Sequence, residues 1–150
     1  MHLVVNEWLL DYCKPGTSPQ DQGSLLAFLE KLYNSQSKIV IGSVTPFTIK
    51  FYRYYQKYRY DMECKHKFDR LNNLFRDLAK TIKVEPYETK GLTDEDIKDI
   101  HRKDHYLLEL AVTVSDSIIV SVDIPLITNL SKGSIRVIHL HDYLRPDAGL

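Results

Sequence analysis

The chain of 150 residues is short of several signals that usually identify an enzyme. It has two cysteines, Cys13 and Cys64, too few for a disulfide framework. Both read as packing residues in a reduced, cytoplasmic protein. Glycine is sparse, and Gly42, Gly91 and Gly133 stand alone, so no phosphate-binding loop is present. There is no CxxC pair, no G-x-S-x-G elbow and no HExxH, which excludes the readily recognised NTPases, zinc proteases and serine hydrolases. No apolar run is long enough to span a bilayer, so no membrane partner is expected. The opening Met1-His2-Leu3-Val4-Val5-Asn6 lacks the basic leader and cleavage site of a signal peptide. Formal net charge is zero, so the molecule as a whole is not built to bind a polyanion. Repeats and low-complexity segments are absent.

What is present is an alternation of strand and helix signals. Leu3-Val4-Val5, Lys38 to Gly42, Ile82 to Val84, Ile118 to Val122 and Ile135 to Leu140 are short apolar runs that read as buried strands. Between them lie helical patterns: a turn or two over Glu7 to Cys13, a helix from Asp21 or Ser24 to Tyr33, and one from Thr45-Pro46 to Tyr60. A further helix covers about Lys65 to Lys80, with Phe68, Leu71, Leu74, Phe75 and Leu78 as its buried stripe. Thr93, with Asp96 three residues on, caps a helix expected to continue to about Val114. Pro125 to Leu130 forms one helical turn or two. This order predicts an α/β fold, a three-layer α/β/α sandwich around a central parallel sheet. Length sets a single domain over residues 1–144, with a frayed tail over 145–150.

The neutral total conceals a division of charge. Between Lys50 and Lys83 there are ten Lys or Arg against four Asp or Glu, and between Glu85 and Glu109 eight acids against four bases. The basic half contains Phe51 to Tyr60, with five tyrosines, two arginines and a lysine in ten residues. Arg53, Tyr54, Lys57, Tyr58 and Arg59 are therefore candidates for RNA contact, because cations attract phosphates and tyrosines stack on unpaired bases. The plainer reading is that Phe51, Tyr54, Tyr55 and Tyr58 pack while Arg53, Lys57 and Arg59 are solvated, or that the helix builds a protein interface such as a homodimer.

In the acidic half, Asp104 falls on or beside the apolar line Ile97, Ile100, Leu107, Leu108 and Ala111, where a carboxylate is costly unless paired or ligated. Asp123 follows the fourth strand, at the end where open α/β sheets gather ligands. The run Asp104-x-x-Leu107-Leu108-Glu109-Leu110-Ala111, then Asp116 to Asp123 and Leu126, resembles the C-terminal half of a PIN domain. At the level of element order the resemblance covers nearly the whole chain; its specific part is Leu92 to Leu126. It implies a PIN-like α/β/α sandwich and a metal-dependent endoribonuclease using Mg²⁺ or Mn²⁺. The stand-alone prokaryotic members it resembles include toxins held in check by an antitoxin, so an antitoxin or other protein partner is implied as well. Hard cations want oxygen ligands, and a bound metal lowers the pKa of its water and stabilises charge on phosphate.

The resemblance assigns the metal site to Asp104 and Asp123, with Glu7 and Asn6 completing it. Catalysis would rest on Asp104, Asp123 and Glu7. Three departures stand out. Asn6 occupies the position of the family's first acid, at the end of the first strand. The second acid would fall near Thr48 or Ile49, where neither residue is a carboxylate and Lys50 brings the opposite charge. His101 stands where one subgroup carries a further Asp. The alternative is a catalytically inactive PIN-like module that binds RNA or a partner protein. Each acid also has a plainer reading. Asp104 could pair with Lys103, Arg102 or a residue across the sheet, Asp123 could cap the helix that starts at Pro125, and Asn6 and Glu7 could cap the helix after the first strand. Trp8 reads as core. His101 with His105, and His139 with His141, have spacings that can chelate a transition metal but more often mark solvated surface.

Overall fold

The computed structural model describes residues 1–146. Five strands, β1 (His2–Val5), β2 (Lys38–Gly42), β3 (Thr81–Val84), β4 (Ser117–Ser121) and β5 (Val137–His139), form one all-parallel sheet in the order β3-β2-β1-β4-β5. The helices are α1 (Trp8–Asp11), α2 (Pro19–Tyr33), α3 (Pro46–Lys57), α4 (Met62–Arg76), α5 (Asp94–Ile97), α6 (His105–Thr113), α7 (Ile124–Leu130) and α8 (Leu140–Leu144). The expected α/β class is observed, with helices around a central sheet. Crossovers of the usual right hand put α1 to α4 on one face and α6 and α7 on the other, because the strand order runs one way from β1 and the opposite way from β4. On the first face α1 contacts α3 and α2 packs on α8, and α6 lies across β1, β2 and β4. The remainder of the expected frayed tail, residues 147–150, lies outside the described residues.

Central strands buried on both faces explain the unbroken apolar runs. Leu3, Val4, Ile39, Ile119 and Val120 are fully or almost fully inaccessible. On the α1–α4 face the core is aromatic. Phe51 meets Phe75 edge-on at 5.1 Å between ring centres, and Trp8 meets Phe28 at 5.1 Å. Trp8 is almost wholly buried, and its indole N–H donates to the Val120 carbonyl at 2.9 Å, tying α1 to the end of β4. The α3–α4 pair is capped at both starts: Thr45 and Asp61 accept from the backbone N–H of Thr48 and Cys64.

Several sequence expectations shift. The helix expected from Asp21 or Ser24 begins earlier, at Pro19, behind the Ser18 cap. The helix expected to reach Tyr60 ends at Lys57, and that expected to reach Lys80 ends at Arg76, so Leu78 lies 83% exposed rather than in the stripe. The largest correction is the helix expected over Thr93 to Val114. The Thr93–Asp96 capping box forms, but α5 stops at Ile97. Asp99 takes a left-handed backbone (φ 62°), its carbonyl accepts from the Asn129 side chain at 3.0 Å, and a single 3₁₀ turn over Arg102–Asp104 leads into α6. A continuous helix would have driven Asp104 into the apolar stripe; the break sets it at the entry of α6 instead. It also dissolves the supposed helical pair His101/His105. His101 Nδ1 accepts from Lys103 N–H at 3.2 Å, and His105 Nε2 lies 3.0 Å from the Ile100 carbonyl.

Both cysteines are buried and free. Burial pushes the Cys13 thiol up to about 12 and the Cys64 thiol up to about 11. Neither should react with Ellman's reagent in the native protein at about pH 8, and both should react in denaturant. Trp8→Phe keeps an aromatic ring but leaves the Val120 carbonyl without its donor. Urea unfolding should show a loss of about 1–3 kcal/mol.

Candidate functional site

The strand order reverses direction between β1 and β4. Val5 pairs with Val120, so the two chains leave the sheet side by side and their following loops diverge to opposite faces. A crevice at such a switch point is where open α/β sheets bind ligands. Here an open cleft of roughly 410 Å³ is lined by Asn6, Glu7, Trp8, Asp11, Lys50, Lys103, Asp104, Val122 and Asp123. Asn6, Glu7, Asp104 and Asp123, singled out on sequence grounds, thus share one cleft. A placement of Asp104 and Asp123 at opposite ends of the sheet is ruled out.

Each group is held by a different local device. Asn6 and Glu7 sit between β1 and α1, where their carbonyls accept from Leu9, Leu10 and Asp11 N–H. Asp123 caps α7 through Oδ1 and Leu126 N–H at 3.1 Å, and its own N–H donates to Ser121 Oγ at 3.1 Å. The capping role expected for Asp123 is therefore real, and it coexists with a place in the cleft. Asp104, at the entry of α6, is 7% exposed and forms no ion pair within 4 Å among the described residues, so the expected pairing with Lys103 or Arg102 is not made. Burial raises its pKa; Lys103 opposes the rise, while Asp123 and Glu7 reinforce it.

Two buried polar atoms near the acids lack partners: Asn6 Oδ1 and the Tyr106 hydroxyl. Most buried polar atoms are satisfied, so the unpartnered oxygen of Asn6, a residue that lines the acidic cleft, leaves an acceptor for a bound group to satisfy. Glu7 lies beside Tyr106 and, after burial, is the largest cause holding that phenol protonated. Lys50 reaches the cleft from the first turns of α3. Its ammonium lies 3.2 Å from Asp11 Oδ1 and 5.2 Å from the Tyr54 ring centre. Burial works against its charge, but Asp11 and Tyr54 outweigh that and raise its pKa. Of the residues near the expected second acid, Thr48 turns back to the Gly42 carbonyl at 2.5 Å and Ile49 is half exposed. Lys50 is the one that lines the cleft. Gly42 permits this approach of α3, since a Cβ there would stand 2.2 Å from Thr45 Cγ2.

The donor set is all oxygen and suits a hard cation. Among the described residues, however, no three His, Cys, Asp or Glu side chains are placed to hold an ion together. A closed carboxylate cage is absent. His139 and His141 form an edge-on pair at 4.9 Å, with His139 Nδ1 accepting from His141 N–H.

The tyrosine-rich helix divides its roles. Tyr58 stacks on Phe68 at 6.2 Å, and Tyr54 meets Phe68 edge-on at 6.3 Å, so both are partly absorbed into α3–α4 packing. Tyr54 also faces Lys14, Lys50 and Asp11 at the margin of the cleft. Arg53, Lys57 and Arg59 are exposed and line an open surface with Gln56 and Tyr60. Lys50, Arg53 or Tyr54, and Lys57 follow one side of α3, over about 10 Å. Sequence reasoning passed over Lys50, Lys103 and Asp11 as site residues; the one available signal was Asp11, a helical turn beyond Glu7.

Comparison of the chain with protein-family models, curated proteins and solved structures finds no match. Among the described residues, no helix is long and apolar enough to cross a membrane.

The Asp104 environment has a thermodynamic consequence. A carboxyl whose pKa rises on folding costs stability when charged. That cost is absent below its unfolded value near 3.8 and grows as pH rises through the folded value. In EDTA at neutral pH, Asp104→Asn should therefore melt a few degrees above the wild type. The gain should shrink to nothing as pH falls below about 4.

Proposed function

We propose that this chain is a metal-dependent endoribonuclease of the PIN type, acting through the cleft at the β1–β4 switch point. The observation that carries the reading is the unpartnered, buried Asn6 Oδ1 among Asp104, Asp123 and Glu7. Asp104 and Asp123 would hold Mg²⁺ or Mn²⁺, with Asn6 supplying a neutral oxygen and Glu7 a further carboxylate. The ion, when bound, supplies activation of water and charge stabilisation on phosphate. The protein residues do the rest. Asp123 is fixed by capping α7 and Asp104 is set by the 3₁₀ turn. The basic side of α3 would lead a single strand of RNA toward the cleft, with Arg53 and Lys57 on phosphates and Tyr54 at the entrance. Following the resemblance, the setting is that of a toxin paired with an antitoxin.

One observation favours the second reading, an inactive PIN-like module that binds RNA or a protein partner: no three acids close around one point. The two readings separate in a single experiment on the wild type and Asp104→Asn/Asp123→Asn. Asn retains the cap, so the double variant should fold. Under the nuclease reading, calorimetry detects Mn²⁺ binding to the wild type alone. RNA cleavage appears with Mn²⁺, stops in EDTA and falls by about a hundredfold or more in the variant. RNA binding without cleavage, and without Mn²⁺ uptake at millimolar concentration, would leave the binding module.

A further inference from the structure

Several cations of the basic half are already engaged. Lys50, Lys65 and Lys67 stand beside carboxylates, and Lys80 donates to the Leu32 and Ser35 carbonyls. Arg76 and Lys83 have no ion-pair partner within 4 Å among the described residues. Glu85, two residues beyond Lys83, accepts instead from the Ser43 hydroxyl at 2.6 Å. Arg76 ends α4 and Lys83 belongs to β3, yet both line one small pocket between α3, α4 and the β2–β3 side of the sheet. Tyr52 lines it too. It follows Lys50 by two residues, about half a helical turn, so this pocket and the acidic cleft lie on opposite flanks of α3.

The shape of the pocket restricts what the two cations can hold. Its apolar wall is Phe47, Phe51 and Phe75, packed edge-on at 5.8 and 5.1 Å between ring centres. Such a wall lowers the local dielectric and strengthens the pull of nearby cations on an anion. The volume is roughly 40 Å³. One water needs about 10–15 Å³, so there is room for about three waters, enough for a phosphate group and too little for a nucleobase. Asn72, one helical turn before Arg76, adds a side-chain amide to the same wall. At the rim the Tyr52 ring is 58% exposed and backed by Phe51 at 5.3 Å, which leaves it open to stacking from outside. A phosphate held inside would therefore have a stacking surface beside it for the attached nucleoside.

We propose that this pocket is an RNA subsite separate from the acidic cleft: Arg76 and Lys83 together hold one backbone phosphate of a single strand, and Tyr52 stacks the adjoining base. The inference rests on the RNA-binding reading above, which the nuclease and the inactive module share, and it requires no metal ion.

The test uses the full chain with a 2′-O-methyl oligouridylate, which cannot be cleaved, in EDTA. Affinity is read by fluorescence anisotropy across a salt series. Arg76, Lys83 and Tyr52 are exposed, so their variants should fold. Arg76→Gln/Lys83→Gln should lose about tenfold in affinity. Its plot of log affinity against log salt should be shallower by about 0.7, the value for one neutralised phosphate. Tyr52→Ala should lose about tenfold with the slope unchanged, and Tyr52→Phe should restore it. Lys98→Gln/Lys132→Gln, which removes two exposed cations beside α5 and α7, should change neither quantity. A slope change of about 1.4 would mean two independent surface contacts and would overturn the proposal. So would an equal loss in the Lys98/Lys132 variant. Inorganic phosphate is titrated separately by calorimetry. If Arg76→Gln/Lys83→Gln loses phosphate binding but keeps full RNA affinity, the pocket serves a free anion and the proposal fails. A wild type that binds no oligouridylate, in EDTA or with Mn²⁺, would sink the RNA-binding reading itself.

Discussion

The parallel pairing of β1 with β4 is the constraint on which the rest of the structure depends. The two strands lie adjacent in space although more than a hundred residues separate them in the chain. Their pairing closes the sheet at its centre and sends the following segments to opposite faces. That divergence opens the crevice, and Asn6, just after β1, and Asp123, two residues after β4, both line it. The Trp8 indole bond to Val120 fixes the same junction from the side, so the geometry of the cleft and the stability of the sheet share their supports.

The cleft is electrostatically unfavourable by construction. Asp104 is buried without an ion pair, beside two other carboxylates, and Asn6 leaves an acceptor unsatisfied. Such arrangements cost stability and persist at sites where a ligand relieves them. The neutral amide of Asn6 and the two ammonium groups of Lys50 and Lys103 limit the accumulation of negative charge in the cleft.

Helix α3 joins the packed core to the cleft. Phe47 and Phe51 lock it to Phe75 and Phe68 of α4, while Lys50, Arg53 and Lys57 follow another side. Tyr54 and Tyr58 stand between: Tyr54 meets Phe68 edge-on, Tyr58 stacks on it, and Lys50 and Lys57 lie over their ring faces. The aromatic composition therefore serves the core first. Rigid anchoring on α4 is what allows the N-terminal turns of α3 to present Lys50 at a defined place.

Much of this was legible in the sequence because its causes are local. Apolar runs marked the five strands, turn and cap residues marked the starts of α3, α5 and α7, and alternation of the two implied a parallel sheet. The acids at Asp104 and Asp123 stood out because one interrupts an apolar pattern and the other follows a buried strand. The break between α5 and α6 was not legible, since it depends on Asp99 adopting a left-handed backbone and on Asn129, thirty residues away, accepting its place beside it. Nor was the place of Lys50 in the cleft beside Asp11, although the sequence marked it as the opposite charge near the expected second acid. Sequence by itself determined the elements, their order and the candidate acids, because hydrophobic period and capping act over a few residues. Tertiary structure alone decided that Asn6, Glu7, Lys50, Asp104 and Asp123 share one cleft, because that follows from strand order, a property of contacts distant along the chain.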